Sequence, residues 1–424
     1  MALGFFWVAL ILGVATEAEA YSSPWGTGIS EPEDLVISIA TFSPGDSVES
    51  WFGHSGIIVE DRRHNIGRLY NYGMFNFDRD MLVRFAMGRL WFWVAPTSIA
   101  GTYRMYMSMD RDIRVKELNI PPEKRLEVAQ FLADNVRPEN REYLYHHYDD
   151  NCSTRLRDII DIAVDGQFSA ALGDKPGRYT LREHTRRHSS HFPPMDWVLM
   201  YLMNGEIDGP STVWEEMFLP EELERQILKF DWVDDEGKSH PLVLRTHEVY
   251  TAENREPVPQ SPRNHWMYWL LFGVVVGGVG LGIGYRGRHK PGRSSRILYG
   301  FYLGGIGFLV GFPGLVLGVM ALFTEHTVTY WNQNLFWASP LTFLLLPLSL
   351  GVLLGKERAK RSVVQLVTLL SAVAALGIVF QLISLFAPAI YQDTTIPLVS
   401  VVPILVGLTA AAWLIDGNLV RREK

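Results

Sequence analysis

His-His-Tyr-Asp-Asp-Asn-Cys-Ser-Thr-Arg-Leu-Arg-Asp, residues 146–158, holds the single cysteine of a 424-residue chain. Leu156, Ile159, Ile160 and Ala163 follow Cys152 at helical spacing, and Asp149, Asp150 and Asn151 are residue types that cap a helix start. The spacing predicts a helix with the thiol at its N-terminus, where unpaired amides and the helix dipole favour a thiolate. The Asp149 and Asp150 carboxylates oppose that shift unless they cap amides or bind Arg155 or Arg157. A lone exported cysteine has no disulfide partner in its own chain, so an unpaired reactive group is the first reading.

Upstream, Leu35–Phe42 reads as a buried strand ended by the turn former Ser-Pro-Gly-Asp at 43–46. Trp51–Glu60 reads as a second strand and Arg68–Phe75 as a third, a meander that puts His54 on its middle strand. A helix is expected from Pro122, a good first-turn residue, to Asn135. The segment 141–148 carries no clear pattern. Residues 205–264, with Pro-rich and acidic stretches, read as a less compact connection. His184, His188 and His191 follow Arg-rich sequence and read as solvated surface. His146, His147, Asp149 and Asp150 have no metal-site spacing, so no metal or other cofactor is expected.

The average composition, a net charge of -7 with 48% apolar residues, hides two unlike halves. Residues 2–15 are almost wholly apolar and Ala18-Glu19-Ala20 offers a signal-peptidase pattern, so 1–20 reads as a signal peptide without a basic n-region. Residues 21–264 are charged and turn-rich. From 265 to 424 the chain reads as a membrane domain, with apolar runs at 266–285, 297–322, 335–354, 362–386 and 396–415, five expected spans. Lys and Arg crowd the first and third connections and the C-terminal tail, and are missing from 323–334 and 387–395. The positive-inside rule then puts the C-terminus in the cytoplasm and 21–264 outside the cytoplasmic membrane. Trp266, Tyr268, Trp269, Tyr330, Trp331 and Trp337 suit the interfacial belt. The five runs hold no Asp, Glu, Lys, Arg or His, which argues against a transporter or pump. Gly277, Gly278, Gly280, Gly282 and Gly284 read as close helix packing rather than a phosphate loop.

A thiol at a helix start opposed by a strand histidine is the working geometry of papain-like nucleophilic catalysis. Here His54 precedes Cys152, the order of the circularly permuted branch that includes lecithin:retinol acyltransferase, with its strand His and its Asn-Cys pair matching His54 and Asn151-Cys152. The combination of Trp-Phe-Gly-His-Ser at 51–55, Tyr-Asn-Tyr-Gly-Met-Phe-Asn-Phe at 70–77, Asp-Asn-Cys-Ser-Thr-Arg-Leu-Arg-Asp at 150–158 and an appended multi-span region resembles the Lnb family of bacterial lipoprotein N-acyltransferases. Asn332, Asn334 and Pro340 also look similar to that family.

The resemblance implies an α+β fold, an exported permuted papain-like (NlpC-like) domain followed by an all-α polytopic membrane domain. It implies transfer of an acyl chain from a phospholipid donor to the α-amine of a diacylglyceryl-cysteine lipoprotein at the lipid bilayer, with no nucleic acid as partner. Cys152 would be the nucleophile, His54 the base, and Asn71 the group orienting the imidazole, with Tyr70 the other candidate because strand register is open. Asn151, Ser55 and Asp150 are the expected supporting residues, and the Cys152 amide an oxyanion donor, a second donor being unidentified. Phe85, Leu90, Trp91, Phe92 and Trp93 read either as an acyl-chain groove or as core. Two other classes stay open: a Cys/His hydrolase acting on cell-wall peptides or phospholipids, and a membrane-anchored binding or sensory protein.

Overall fold

The computed structural model describes residues 23–75 and 79–421. The expected signal peptide, its cleavage site and the tail residues 422–424 lie outside them. The chain divides into two compact units, 23–188 with 210–260, and 189–209 with 261–421. The units are discontinuous in sequence, unlike a single boundary at 264, because residues 189–209 leave the exported unit and return.

The first unit is a seven-stranded antiparallel sheet. Its elements are β1 (Leu35–Phe42), β2 (His54–Asp61), β3 (Ile66–Met74), helix α1 (Arg79–Ala86), β4 (Trp91–Thr97), α2 (Ile99–Ser108), β5 (Ile113–Leu118), α3 (Pro122–Asn135), β6 (Glu142–Leu144), α4 (Cys152–Ala163), α5 (Leu181–Ser189), the hairpin β7 (Asp231–Val233) and β8 (Ser239–Pro241), and β9 (Val243–Tyr250). The order across the sheet is β6-β4-β3-β2-β1-β5-β9. Every residue of β1 is buried, which is why it reads as a largely apolar run in which Ser38 and Thr41 are the polar residues. Leu35, Ile37 and Ile39 pack with Ile57, Val59, Leu156 and Ile160 on the face covered by α3 and α4, while Ala40, Phe42, Ile58 and Leu69 pack with Tyr106 of α2 on the other.

Two expectations for this unit are corrected. Residues 210–260 are no loose connection: Val243–Tyr250 pairs with β5 as the edge strand. That strand is mostly exposed and carries Arg245, Thr246, His247 and Glu248, so no apolar alternation marked it. His184 and His188 are buried, not solvated. His184 Nε2 bonds Glu216 at 2.8 Å and Nδ1 lies 3.0 Å from Arg187, which also bonds Glu221 at 2.7 Å. His188 Nδ1 donates to the Trp51 carbonyl at 2.8 Å. His191 is exposed. An Arg/His/Glu network satisfies these groups in the interior, where charges persist only when paired.

The second unit is helical: α6 (Pro193–Leu202), α7 (Trp266–His289), α8 (Arg293–Leu309), α9 (Gly311–Phe323), α10 (Leu345–Leu353), α11 (Glu357–Ser384) and α12 (Thr395–Arg421). Among the described residues four helices are long and apolar enough to cross a membrane, with a fifth span if a pair bent by 65° counts as one. That pair, Thr327–Phe336 and Pro340–Leu353, replaces the continuous helix expected at 335–354. Pro340 follows an extended Ser339 and has no N–H to continue a helix from the preceding turn. The run 297–322 is likewise interrupted at Val310, where Pro313 cannot donate to the Leu309 carbonyl. α12 continues past 415, so the buried Asp416 sits within a helix expected to end before it. Trp337 is 1% exposed, in the bundle core rather than an interfacial belt.

Asn332 and Asn334 gain a structural account here. Asn332 Nδ2 donates to the carbonyls of Tyr201 (3.2 Å) and Leu202 (2.9 Å), and Asn334 Nδ2 to those of Met200 (3.3 Å) and Tyr201 (2.8 Å). Together they satisfy the carbonyls that the end of α6 leaves unpaired. The glycines of α7 permit close packing: a Cβ on Gly277 would collide with the Pro403 carbonyl of α12, and one on Gly407 with the Gly277 backbone.

Candidate active site

The thiol is placed by its cap. Asn151 Oδ1 accepts from the amides of Ser153 (2.8 Å) and Thr154 (3.0 Å), Thr154 Oγ1 accepts from the Asn151 amide at 2.8 Å, and Asn151 Nδ2 donates to the carbonyls of His147 (2.6 Å) and Phe218 (3.0 Å). This capping box ties the start of α4 to two loops and uses every polar atom of Asn151. Ser153 Oγ donates to the Met217 carbonyl at 2.8 Å, a further anchor. The Asp150 carboxylate is held by Arg155 at 2.5 and 2.6 Å, which neutralises it, and Asp149 Oδ2 lies 2.8 Å from His146 Nδ1.

The register of β2 and β3 places the histidine. Ile57 pairs with Tyr70, so His54 and Asn71, at odd offsets from that pair, share the opposite face. Asn71 Oδ1 accepts from His54 Nε2 at 2.6 Å, leaving Nδ1 as the basic nitrogen. Tyr70 faces the other way, and its hydroxyl accepts from Trp25 Nε1 at 2.8 Å. Gly53, immediately before His54, has φ +79°, and a Cβ there would press on the Phe42 carbonyl at 3.0 Å. The imidazole stacks on Phe42 and Tyr106, with ring centroids 6.0 and 6.3 Å away.

Ser55, the next residue, lies on the α4 face. Its amide and hydroxyl, with the amides of Cys152 and Ser153, favour the thiolate, and the buried hydroxyl has no hydrogen-bond partner among the described residues outside this contact. Burial outweighs them and pushes the Cys152 thiol above its ordinary value. The thiolate expected from the helix start alone is therefore not the resting form. Burial also lowers His54, opposed by its bond to Asn71 and aided by Arg111, to about 4. Both shifts favour the neutral forms, a thiol at Cys152 and an uncharged imidazole at His54.

The sequence reading missed the groups around this pair. Tyr106 and Arg111 both interact electrostatically with Cys152, as do Tyr143 and Tyr145. Tyr106 also stacks on His54, and Arg111 also bears on it. They come from α2, the turn before β5, β6 and the loop after it, with no spacing signal that would link them. Of the aromatic run at 85–93, Phe92 stacks on Phe75 (5.1 Å) and Tyr145 (4.6 Å), a ladder ending beside the thiol, whereas Phe85 and Trp91 are exposed. His147 is half-buried against Phe52, Tyr148 and Phe218, and desolvation lowers it to about 3.

Two family models match the chain. The Lnb N-terminal periplasmic domain matches residues 21–187, and the Lnb transmembrane domain matches residues 295–414. No curated protein and no solved structure matches.

Proposed function

The chain belongs to the Lnb family, an enzyme with a periplasmic domain and a transmembrane domain, and on that premise we propose that it is a lipoprotein N-acyltransferase working through an acyl-thioester on Cys152. The observation that supports this reading is a thiol at a capped helix start, in contact with Ser55, next in sequence to a histidine that Asn71 holds at 2.6 Å and on which Tyr106 stacks.

In the first half-reaction Cys152 attacks a phospholipid ester carbonyl while His54 Nδ1 takes the thiol proton. Because the resting pair is neutral, proton transfer accompanies attack instead of preceding it. The tetrahedral oxyanion meets the Cys152 amide, and its collapse expels the lysophospholipid alkoxide, which takes the proton from His54. In the second half-reaction the neutral α-amine of a diacylglyceryl-cysteine lipoprotein attacks the thioester. His54 accepts the amine proton and returns it to the departing sulfur, so the enzyme ends as it began. Asn71 keeps the imidazole in the tautomer that both halves use. Neither half requires a metal or a nucleotide.

The Phe75-Phe92-Tyr145 ladder supports an acyl-chain path to the thiol, with exposed Trp91, Phe85 and Val83 at its outer end suited to a lipid surface. Both proposed substrates are lipid-anchored, and tethering the enzyme to the same bilayer turns a search in volume into one in a plane. The positive-inside pattern supports a periplasmic exported unit and a cytoplasmic C-terminus.

The test is purified full-length protein with an acyl-labelled phospholipid and a diacylated lipopeptide, wild type against Cys152→Ala, read by mass spectrometry of the lipopeptide and the intact enzyme. Triacylated peptide and an acylated wild-type enzyme, both lost in Cys152→Ala, are the expected result. Label released as free fatty acid, with no acylated peptide, would make it a hydrolase instead.

A further inference from the structure

Arg111 is 5% exposed, yet it forms no ion pair among the described residues. Its Nε donates to the Ser43 carbonyl at 2.6 Å, its guanidinium carbon sits 4.6 Å over the Tyr106 ring, and its buried Nη2 has no hydrogen-bond partner among the described residues. The turn that presents it is fixed on both sides. Asp110, at φ +50°, accepts from the Tyr250 hydroxyl and the Glu253 and Asn254 amides at 2.9–3.0 Å, and Arg255 donates to the Asp110 carbonyl at 2.5 Å. Asp46, the carboxylate that acts electrostatically on Arg111, is taken by Arg255 at 2.8 and 3.0 Å. A guanidinium stays charged even when burial lowers its pKa, so the fold holds a desolvated cation without a resident anion, an arrangement that costs stability unless a negative charge arrives.

We propose that Arg111 is the cation that stabilises the negative charge formed at Cys152, on the attacking sulfur and on the tetrahedral oxyanion beside it. This rests on Cys152 being the nucleophile. Tyr106 links the two parts of the site: it stacks on His54 and carries the Arg111 guanidinium on its ring, which holds the cation beside the imidazole, and both Tyr106 and Arg111 interact electrostatically with Cys152. The other groups that act on the thiol, Ser55, Tyr106, Tyr143 and Tyr145, are uncharged at neutral pH, the three tyrosines being pushed up by burial, and the neighbouring Asp150 is bonded to Arg155, so Arg111 is the cation of this set that carries no bonded carboxylate. Arg255 opposes Arg111 as a like charge and is itself paired with Asp46. Arg111 thereby offers the second stabilising group that the Cys152 amide lacks.

The test uses full-length protein in detergent micelles and compares wild type, Arg111→Lys, Arg111→Met and Arg111→Gln, each with a melting curve. The first readout is the pH dependence of Cys152 alkylation by iodoacetamide. The second is acyl-enzyme formation from a phospholipid and from a phosphate-free ester, p-nitrophenyl decanoate, by intact mass. Arg111→Met and Arg111→Gln should move the alkylation midpoint about one pH unit higher and slow acyl-enzyme formation ~30-fold or more with both donors, and Arg111→Lys should restore a part of each. An unchanged alkylation profile in folded variants overturns the proposal. So does a defect confined to the phospholipid, which would make Arg111 a phosphate clamp. If both neutral variants fail to fold, Arg111→Lys decides: a partial upward shift of the alkylation midpoint with acylation slowed equally for both donors supports the proposal, and a defect confined to the phospholipid overturns it. Full turnover by Cys152→Ala would remove the nucleophile reading, while the alkylation arm still reports whether Arg111 acts on the thiol.

Discussion

Asn71 and His54 lie on one face of neighbouring strands, and the 2.6 Å bond between Oδ1 and Nε2 fixes which nitrogen of the imidazole is left basic. Replacing Asn71 by Ala frees the ring to rotate and to change tautomer. The expected result is a fall in kcat of ~10- to 100-fold with KM little changed, since the effect falls on proton transfer rather than binding. Asn71→Asp should keep the geometry and raise the imidazole pKa, moving the acid limb of the rate profile upward. An Asn71→Ala enzyme with wild-type kcat would remove the orienting role.

Acid pH acts through buried imidazoles. His54 is lowered to about 4 in the folded protein from its ordinary 6.5, and His147 to about 3, both chiefly by burial. Folded-state values below the unfolded ones mean that the unfolded chain gains protons first as pH falls. The stability they contribute is whole above about 6.5 and is lost toward 4 and 3, with His54 alone accounting for roughly 3 kcal/mol. Melting of the full-length protein should therefore decline steadily below pH 6.5, and His147→Phe should flatten that decline. Activity of the protein that stays folded should hold to near pH 4, where His54 charges.

Ser55 offers a separable effect on the thiol. Its buried hydroxyl favours the thiolate and has no other hydrogen-bond partner among the described residues. Ser55→Ala should slow Cys152 alkylation at a given pH several-fold and leave the melting temperature within a few degrees, because no second partner is orphaned. A large stability loss with unchanged alkylation would refute this account.

Asn151 predicts the reverse balance. Ala at this position removes four hydrogen bonds at the start of α4, two of them to the loop carbonyls of His147 and Phe218. The expected cost is about 2 kcal/mol or more, measured by denaturant or thermal unfolding, together with a rate loss from a displaced thiol.

In the helical unit, Gly277→Val places side-chain atoms against the Pro403 carbonyl. The contact between α7 and α12 cannot absorb them without separating the helices. Lower yield and a lower melting temperature in detergent are expected, while Gly278→Val, where a Cβ meets open space, should behave as wild type. Equal behaviour of the two variants would argue against close packing at Gly277.

Residues whose surroundings are mostly local were legible from the chain. β1 agrees with the strand expected at 35–42 because all eight of its residues are buried, and α3 begins at Pro122 because proline suits a helix's first turn. The apolar runs were visible as runs, but their continuity was not: the break before Pro340 depends on tertiary partners as much as on the proline. β9 was invisible since an exposed edge strand needs no apolar alternation, and the burial of His184 and His188 was invisible since only their distant partners Glu216 and Glu221 make it tolerable.

The sequence by itself determined that Cys152 starts a capped helix, that His54 sits on a strand, and that a membrane region follows, because caps, alternation and apolar run length are short-range physics. Only the tertiary structure decided that Asn71 rather than Tyr70 meets the imidazole, since strand register selects the face. It also decided that burial pushes the thiol up and the imidazole down, and that Arg111 lies over Tyr106, the ring that stacks on His54. Desolvation depends on how completely the whole fold covers a group, and no window of sequence contains that quantity.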